Sequence, residues 1–313
     1  MATSIEVRNL KKYYGSVKAV DGISFSVGAG TIFGMLGPNG AGKTTTIETI
    51  IGLLDKTDGE IDVLGLDPDG DREELKKRIG VQLQNPSLFP RLTVRETINL
   101  FASFYPQPLS AEEAIDRVGL SESEGKRVES LSGGQRHRLA VALAMVSNGE
   151  IVFLDEPTTG LDPQARRRLW EVIRDLKEEG VTVFLTTHYM DEAQTLCGKL
   201  VIIDRGKIIA QGSPGYLIDK YFQERAVEFP DPGLNEEEKK ALEGADLSKR
   251  VSYEEGDGME GNLVILYSED VTETISKAMD FGREVGKPID GLTVRQPTLE
   301  DVFLKLTGRR IRE

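Results

Sequence analysis

Two carboxylates, a lysine, a threonine and a histidine stand in this chain at the ends of segments that read as buried strands, and together they describe phosphate chemistry. Gly37-Pro38-Asn39-Gly40-Ala41-Gly42-Lys43-Thr44, followed by Thr45, fits the pattern G-x-x-x-x-G-K-[ST] in full. Its glycines let the backbone curl so that successive N–H groups point inward at phosphate oxygens. A helix beginning near Lys43 adds the positive end of its dipole. Lys43 supplies a point charge to the β- and γ-oxygens, and the Thr44 hydroxyl is a ligand for Mg²⁺. Further along, Ile151-Val152-Phe153-Leu154 is an apolar run that ends in Asp155-Glu156. Open α/β sheets bind ligands at the carboxyl ends of their strands. Asp155 there suits the Mg²⁺ shell, and Glu156 is placed to polarise an attacking water as a general base. The chemistry implied is binding and hydrolysis of a nucleoside triphosphate.

Leu131-Ser132-Gly133-Gly134-Gln135 is the next unusual stretch. Ser132 and Gln135 have capping-box spacing, so a helix is expected to begin here and run through Met145. Two glycines in its first turn cost about 1 kcal/mol each against alanine, which makes sense where an anion approaches bare N–H groups. Tyr14 precedes Gly15, Gln84 follows an expected strand at Ile79–Leu83, and His188 follows a strand ending at Thr186. Asp162 in Gly160-Leu161-Asp162 also reads as a helix N-cap before Pro163. His137 falls inside the Ser132 helix on an expected exposed face and carries no assigned role.

From about Ile5 to Tyr221 the order and spacing of these seven motifs resemble the nucleotide-binding domain of the ATP-binding cassette (ABC) family. The resemblance implies that Ser132, Gly133, Gly134 and Gln135 grip the γ-phosphate held by the opposite subunit, so that two copies sandwich two ATP molecules head to tail. It implies that Tyr14 stacks on adenine and that Asp162 lies in a loop crossing the dimer interface. Gln84 is implied to contact Mg²⁺ and the attacking water and to link the site to a membrane partner, while His188 contacts the γ-phosphate. Gly198-Lys199 stands where relatives often have Asp-Arg, a departure that touches no catalytic role. With every catalytic residue present, a hydrolysing cassette is expected.

The elements that must position these residues follow an α/β pattern with a largely parallel sheet. Strands are expected at Ile32–Leu36, Ile151–Asp155, Val181–Thr186 and Leu200–Asp204, with helices at Lys43–Leu53, Pro163–Lys177, Met190–Leu196 and Ser213–Phe222. The fold class is a P-loop NTPase cassette with a helical signature subdomain, spanning residues 1–224. Pro230–Glu238, rich in Pro, Gly and acids, reads as a linker, and residues 225–313 as a small C-terminal α/β accessory domain. Gln296–Gly308 reads as an amphipathic helix capped by Thr298, with Leu299, Val302, Phe303 and Leu306 on one face and Gly308 ending it. This ending resembles the C-terminal domain of exporter ATPases of the daunorubicin-resistance type. That resemblance implies a separate multi-span membrane permease and a pair of cassette subunits, with a homodimer expected. The helix is expected to bury its apolar face on its own module, with a role for the tail in dimer contact or regulation left open, and Arg309, Arg310 and Arg312 are expected to be solvated.

Composition narrows the class further. Hydrophobic residues are 39% and charged residues 29%, a globular profile. No apolar run approaches the roughly 18 residues that span a bilayer, and the N-terminus lacks a secretion signal. The lone Cys197 fits a reducing cytosol and reads as buried filler. A net charge of −13 argues against bulk binding to nucleic acid. A soluble cassette working on ribosomes or DNA would carry a second cassette, a long coiled coil or a zinc insertion, and neither heptads nor Cys pairs occur. The expectation is therefore a cytoplasmic protein on the inner face of the membrane, docking its permease near Gln84 to Phe104 through Leu88 and Phe89.

Overall fold

Ile32–Leu36, Ile151–Asp155 and Thr182–Thr187 are buried along their whole length and lie side by side as parallel strands, as runs without polar alternation do. The computed structural model describes residues 2–84, 87–222, 225–244, 250–254 and 262–308. The chain divides into two units, the first ending at Pro214 and the second beginning at Gly215. The first unit runs β1 (Thr3–Tyr14), β2 (Val17–Gly28), β3 (Ile32–Leu36), α1 (Lys43–Ile50), β4 (Asp58–Val63), α2 (Arg72–Arg78) and β5 (Ile79–Gln82). It continues with α3 (Val94–Ala102), α4 (Ala111–Arg117), α5 (Gly133–Val146), β6 (Ile151–Asp155), α6 (Pro163–Glu178), β7 (Thr182–Thr187), α7 (Met190–Leu196), β8 (Lys199–Asp204) and β9 (Lys207–Gly212).

Six strands form one sheet in the order β5-β6-β7-β3-β8-β9, parallel except for β9, which turns back on β8. Phe184 on β7 faces Phe33 on β3 and Phe153 on β6 in register, with ring centroids 5.4 and 5.6 Å apart. Those cross-strand aromatic contacts help fix the register that aligns the carboxyl ends of β3, β6 and β7. A second sheet, β2-β1-β4, is antiparallel and shares the core, with Ile5, Val7 and Phe25 packed alongside Phe33 and Phe153. The sequence reading defined no strand before Ile32. Alternating burial and the left-handed residues Asn9 (φ 48) and Gly22 (φ 80) break up the apolar signal of β1 and β2. Helix α1 ends at Ile50, short of Leu53, because Gly52 (φ 75) turns the chain.

The second unit takes α8 (Pro214–Tyr221) from its second residue on, whereas the sequence reading has this helix closing the first unit. It continues with β10 (Arg225–Pro230), α9 (Glu236–Gly244), β11 (Arg250–Glu254), β12 (Leu263–Ser268), α10 (Val271–Glu284), β13 (Thr293–Arg295) and α11 (Leu299–Thr307). The sheet order is β11-β12-β10-β13, and each pairing is antiparallel. Pro230–Glu238 is not a linker. Pro230 ends β10, and Asp231 accepts from the N–H groups of Gly233 and Leu234 to make the turn. Asn235 accepts from Glu237 and Glu238 N–H while the Glu238 carboxylate accepts from Asn235 N–H at 2.7 Å. The Pro/Gly/acid composition is thus turn and cap chemistry, with three glutamates at the positive end of α9. Helix α11 buries Leu299, Val302 and Phe303, half-buries Leu306 and ends on Gly308 (φ 71). Arg309, Arg310 and Arg312 lie outside the described residues. Among the described residues no helix is long and apolar enough to cross a membrane.

Candidate active site

The Gly37–Thr44 segment, expected to cradle phosphates, is a turn in which backbone leaves no room for side chains at Gly37 and Gly42. A Cβ on Gly37 would stand 2.3 Å from the Ile203 carbonyl oxygen, and one on Gly42 (φ 106) 2.4 Å from that of Ala19. Gly42 caps α1 with no side-chain acceptor and no acid in the first turn. The first-turn N–H groups of Lys43, Thr44 and Thr45 therefore have no intrahelical acceptor. Ala41, beneath the loop, takes the Gly206 N–H on its carbonyl at 2.9 Å and gives its own N–H to Pro38 at 3.2 Å. Asn39, Gly40, Gly42, Lys43, Thr44 and Thr45 line a cleft of about 470 Å³ together with Gln84, Glu156 and Val17–Ala19. A larger cavity of about 690 Å³ lies in the second unit. It holds none of the nucleotide motifs, although residues of α8 and α11 line it.

Asp155 and Glu156 project from the end of β6 into separate networks. Asp155 is fully buried and accepts from the Thr44 hydroxyl at 2.9 Å and from the Thr186 hydroxyl opposite it in register. Burial pushes its pKa up, against the pull of those two hydroxyls. Glu156 has a left-handed backbone (φ 50) just past the end of β6. One of its oxygens meets Lys43 Nζ at 3.0 Å. The other lies 3.1 Å from His188 Nδ1 and accepts from Gln84 Nε2 and Thr159 Oγ1 at 3.2 Å each. Lys43 and Glu156 are 4% and 5% exposed, so solvent screens this pair little. Burial pushes the Glu156 carboxyl up, but the His188 contact and the Lys43 charge outweigh it and bring the pKa down to about 2. Lys43 also donates to the Gly37 and Pro38 carbonyls at 2.7 and 3.1 Å.

The structure therefore brings Lys43, Thr44, Gln84, Asp155, Glu156 and His188 together at one strand edge. Ser132, Gly133, Gly134 and Gln135 do not line this cleft; they form the N-terminus of α5. Their capping box is present, with Gln135 N–H donating to Ser132 Oγ at 3.2 Å and Ser132 N–H to Gln135 Oε1 at 3.0 Å. A Cβ on Gly133 would meet nothing within 4 Å, and one on Gly134 only Leu161 at 3.5 Å, so no steric demand within the chain explains the glycines. Asp162 is the N-cap of α6, accepting from Gln164 and Ala165 N–H at 3.0 and 2.9 Å. Tyr14 ends β1 half-exposed, its ring 5.0 Å from Lys12 Nζ, and lies outside the cleft lining. His137 is half-buried, not exposed, and burial lowers its pKa. Phe89 is exposed and Leu88 half-buried; Asn85 and Pro86 fall outside the described residues.

Sequence reasoning missed several groups. Val17, Lys18 and Ala19 line the cleft from β2, and Arg205 and Gly206 line it from a tight turn of two left-handed residues. Thr186 and Thr159 hold the two carboxylates, and only the pairing of β6 with β7 brings Thr186 to Asp155.

Residues 20–159 match the family described as ABC transporter. Among curated relatives, the Nod factor export ATP-binding protein I of Burkholderia orbicola is 36% identical over 99% of this chain and 98% of its own length. The linearmycin resistance ATP-binding protein LnrL of Bacillus subtilis is 34% identical over 99% of this chain and 100% of its own. Among solved structures, a post-hydrolysis dimer of the ATP-binding cassette MJ0796 bound to ADP and Pi superposes with a TM-score of 0.62 at 27% identity, covering 67% of this chain and 98% of that one. Whole-length likeness to ATP-binding subunits, over a cleft built for a triphosphate, means that this chain belongs to the ABC transporter family as an ATP-hydrolysing, ATP-binding subunit.

Proposed function

We propose that this subunit is the motor of an exporter, working as a dimer with a separate multi-span permease on the inner face of the membrane. The observation that carries the hydrolytic part is the convergence of Lys43, Gln84 and His188 on the two oxygens of Glu156. ATP is the substrate, its phosphates taken by the cradle of Gly37–Thr45 and its adenine by Tyr14. The Thr44 hydroxyl and the Asp155 carboxylate, which meet at 2.9 Å, would hold Mg²⁺ together with the Gln84 amide oxygen, an all-oxygen donor set of the kind this ion takes. When bound it supplies charge neutralisation on the phosphate oxygens.

Lys43 has one ammonium for two anions. Drawn to the β- and γ-phosphates, it leaves Glu156, whose carboxylate keeps the His188 contact but loses the Lys43 charge that also depresses its pKa, and so becomes a stronger base. Gln84 and His188 remain on its other oxygen to orient water and γ-phosphate. Ser132–Gln135, with bare glycines and no role in their own cleft, are suited to the γ-phosphate of a second copy. Relatives named for export of Nod factors and for linearmycin resistance match over the C-terminal accessory part as well, which supports the exporter reading. The transported molecule belongs to the permease.

The test is purification of the tagged chain from gently solubilised native membranes, followed by ATPase assay of the complex beside its Glu156→Gln form. A stoichiometric multi-span protein is expected, with native hydrolysis and a variant that binds ATP, stays dimeric and turns over at least about 100-fold more slowly. Ribosomal or DNA-bound partners with nothing from the membrane would sink the exporter reading. Near-native turnover by Glu156→Gln would remove Glu156 as the base.

A further inference from the structure

His188 is packed as well as hydrogen-bonded. Its Nδ1 stands 3.1 Å from Glu156, and the ring of Tyr189 lies against the imidazole with centroids 4.1 Å apart and planes at 38°. The guanidinium of Arg166, from the first turn of α6, sits on the Tyr189 ring at 4.3 Å and reaches the Asp191 carboxylate at 3.4 Å. Tyr189 N–H donates to Thr187 Oγ1 at 2.9 Å, which sets the turn between β7 and α7. A second tie holds α6 to α7: Trp170 Nε1 donates at 3.0 Å to Glu192, which is fully buried.

Helix-end physics does not explain a tyrosine at this position. Thr93, Ser110, Ser132 and Asp162 cap α3, α4, α5 and α6 with side-chain oxygens, as N-cap preferences demand. Tyr189 is the N-cap of α7 and gives it no side-chain acceptor. What it does give is a flat surface against His188. The χ2 torsion of histidine is broad and roughly two-fold, so a hydrogen bond alone leaves the imidazole plane loosely set. A ring tilted against the imidazole at 38° and itself clamped by a guanidinium removes that freedom before nucleotide arrives.

We propose that Tyr189, clamped by Arg166, is a positioning residue for hydrolysis that fixes the plane of the His188 imidazole so that Nδ1 faces Glu156. It rests on the reading of Glu156 and His188 given under the proposed function. The contact is local to β7, α6 and α7, and it touches neither the phosphate cradle nor the metal ligands.

The chain has two histidines, so imidazole NMR of the histidine-labelled protein shows two rings, and His137→Gln assigns them. Tyr189→Leu is expected to move the His188 ring resonances through loss of the neighbouring ring current. The same variant is expected to lower kcat roughly tenfold while KM for ATP changes less than about twofold. Tyr189→Phe, which keeps the ring, is expected to restore both readouts. Arg166→Gln is expected to act in the same direction and to add little on top of Tyr189→Leu, as coupled neighbours do. Native kcat and unmoved His188 resonances in Tyr189→Leu, beside an inactive His188→Ala, would overturn the proposal and leave the site reading intact. Native hydrolysis by His188→Ala would overturn the site reading itself. Should Tyr189→Leu not fold, Arg166→Gln decides the matter, since native kcat and resonances there exclude a clamped ring.

Discussion

At the residue scale the site is a competition for charge. Lys43 and Glu156 form a buried pair in which each neutralises the other, and the same lysine has two carbonyls to hold it in place. Replacing one member leaves the other uncompensated, which costs about 3 kcal/mol or more in buried pairs. The sign of the pH dependence follows from the Glu156 pKa of about 2, against an ordinary value of 4.5. Because the folded value is depressed, its contribution is fully present above pH 4.5 and is lost as pH falls toward 2. The size of that shift corresponds to about 3 kcal/mol. In urea unfolding of the nucleotide-free protein, Glu156→Gln should therefore be less stable than the native chain at pH 7, with the gap closing below pH 4.5. A gap that stays constant between pH 7 and pH 3 would mean that Glu156 is not held ionised by Lys43 and His188.

At the element scale, the close approach of α5 to β5 ties the signature helix to the catalytic sheet. Gly80 on β5 has no room for a side chain: a Cβ there would stand 1.9 Å from the Ala144 carbonyl oxygen, which is backbone and cannot rotate away. Gly80→Ala should force α5 off the strand and destabilise the first unit by about 2–3 kcal/mol, read as a lower unfolding temperature. An unchanged temperature would show that α5 shifts freely. Neither this contact nor the Lys43–Glu156 pair was legible in the sequence, since each depends on which elements far apart in the chain pack together. The strand–cradle–helix of Ile32–Ile50 and the acid-ended β6 were legible, because parallel strands buried on both faces leave unbroken apolar runs. Strands β1 and β2 were not, because polar alternation and bulges at Asn9 and Gly22 hide a period that only pairing reveals. The stretch Pro230–Glu238 misled for a different reason: the residues that make linkers also make tight turns and helix caps. Cys197, expected to be filler, is buried beneath Gly34, where a Cβ would come within 2.5 Å of its sulfur. Burial pushes its thiol pKa up.

At the scale of the whole molecule, the candidate nucleotide cleft is built by the first unit alone. Every residue lining the cleft lies between Val17 and Gly206, whereas the second unit has a core of its own around Val227, Phe229 and Leu266. A ligand stabilises what it binds by an amount set by concentration over Kd, about 2.7 kcal/mol at a hundredfold excess. For a unit of this size, where each 1 kcal/mol moves Tm by roughly 2–4 °C, that is a rise of roughly 5–11 °C. Calorimetry of Glu156→Gln, which is expected not to consume the nucleotide, should show the transition of the first unit rising by this amount with ATP and Mg²⁺. The transition of the second unit should stay where it is. Lys43→Ala should abolish the rise, because the loss of the ammonium removes the charge that the β- and γ-phosphates meet in the cradle. A Lys43→Ala chain that still gains the full rise would place the phosphates elsewhere. A single transition that moves as one in Glu156→Gln would mean that the two units unfold together, so that the accessory unit shares in the free energy of ATP binding even though it contributes no residue to the cleft.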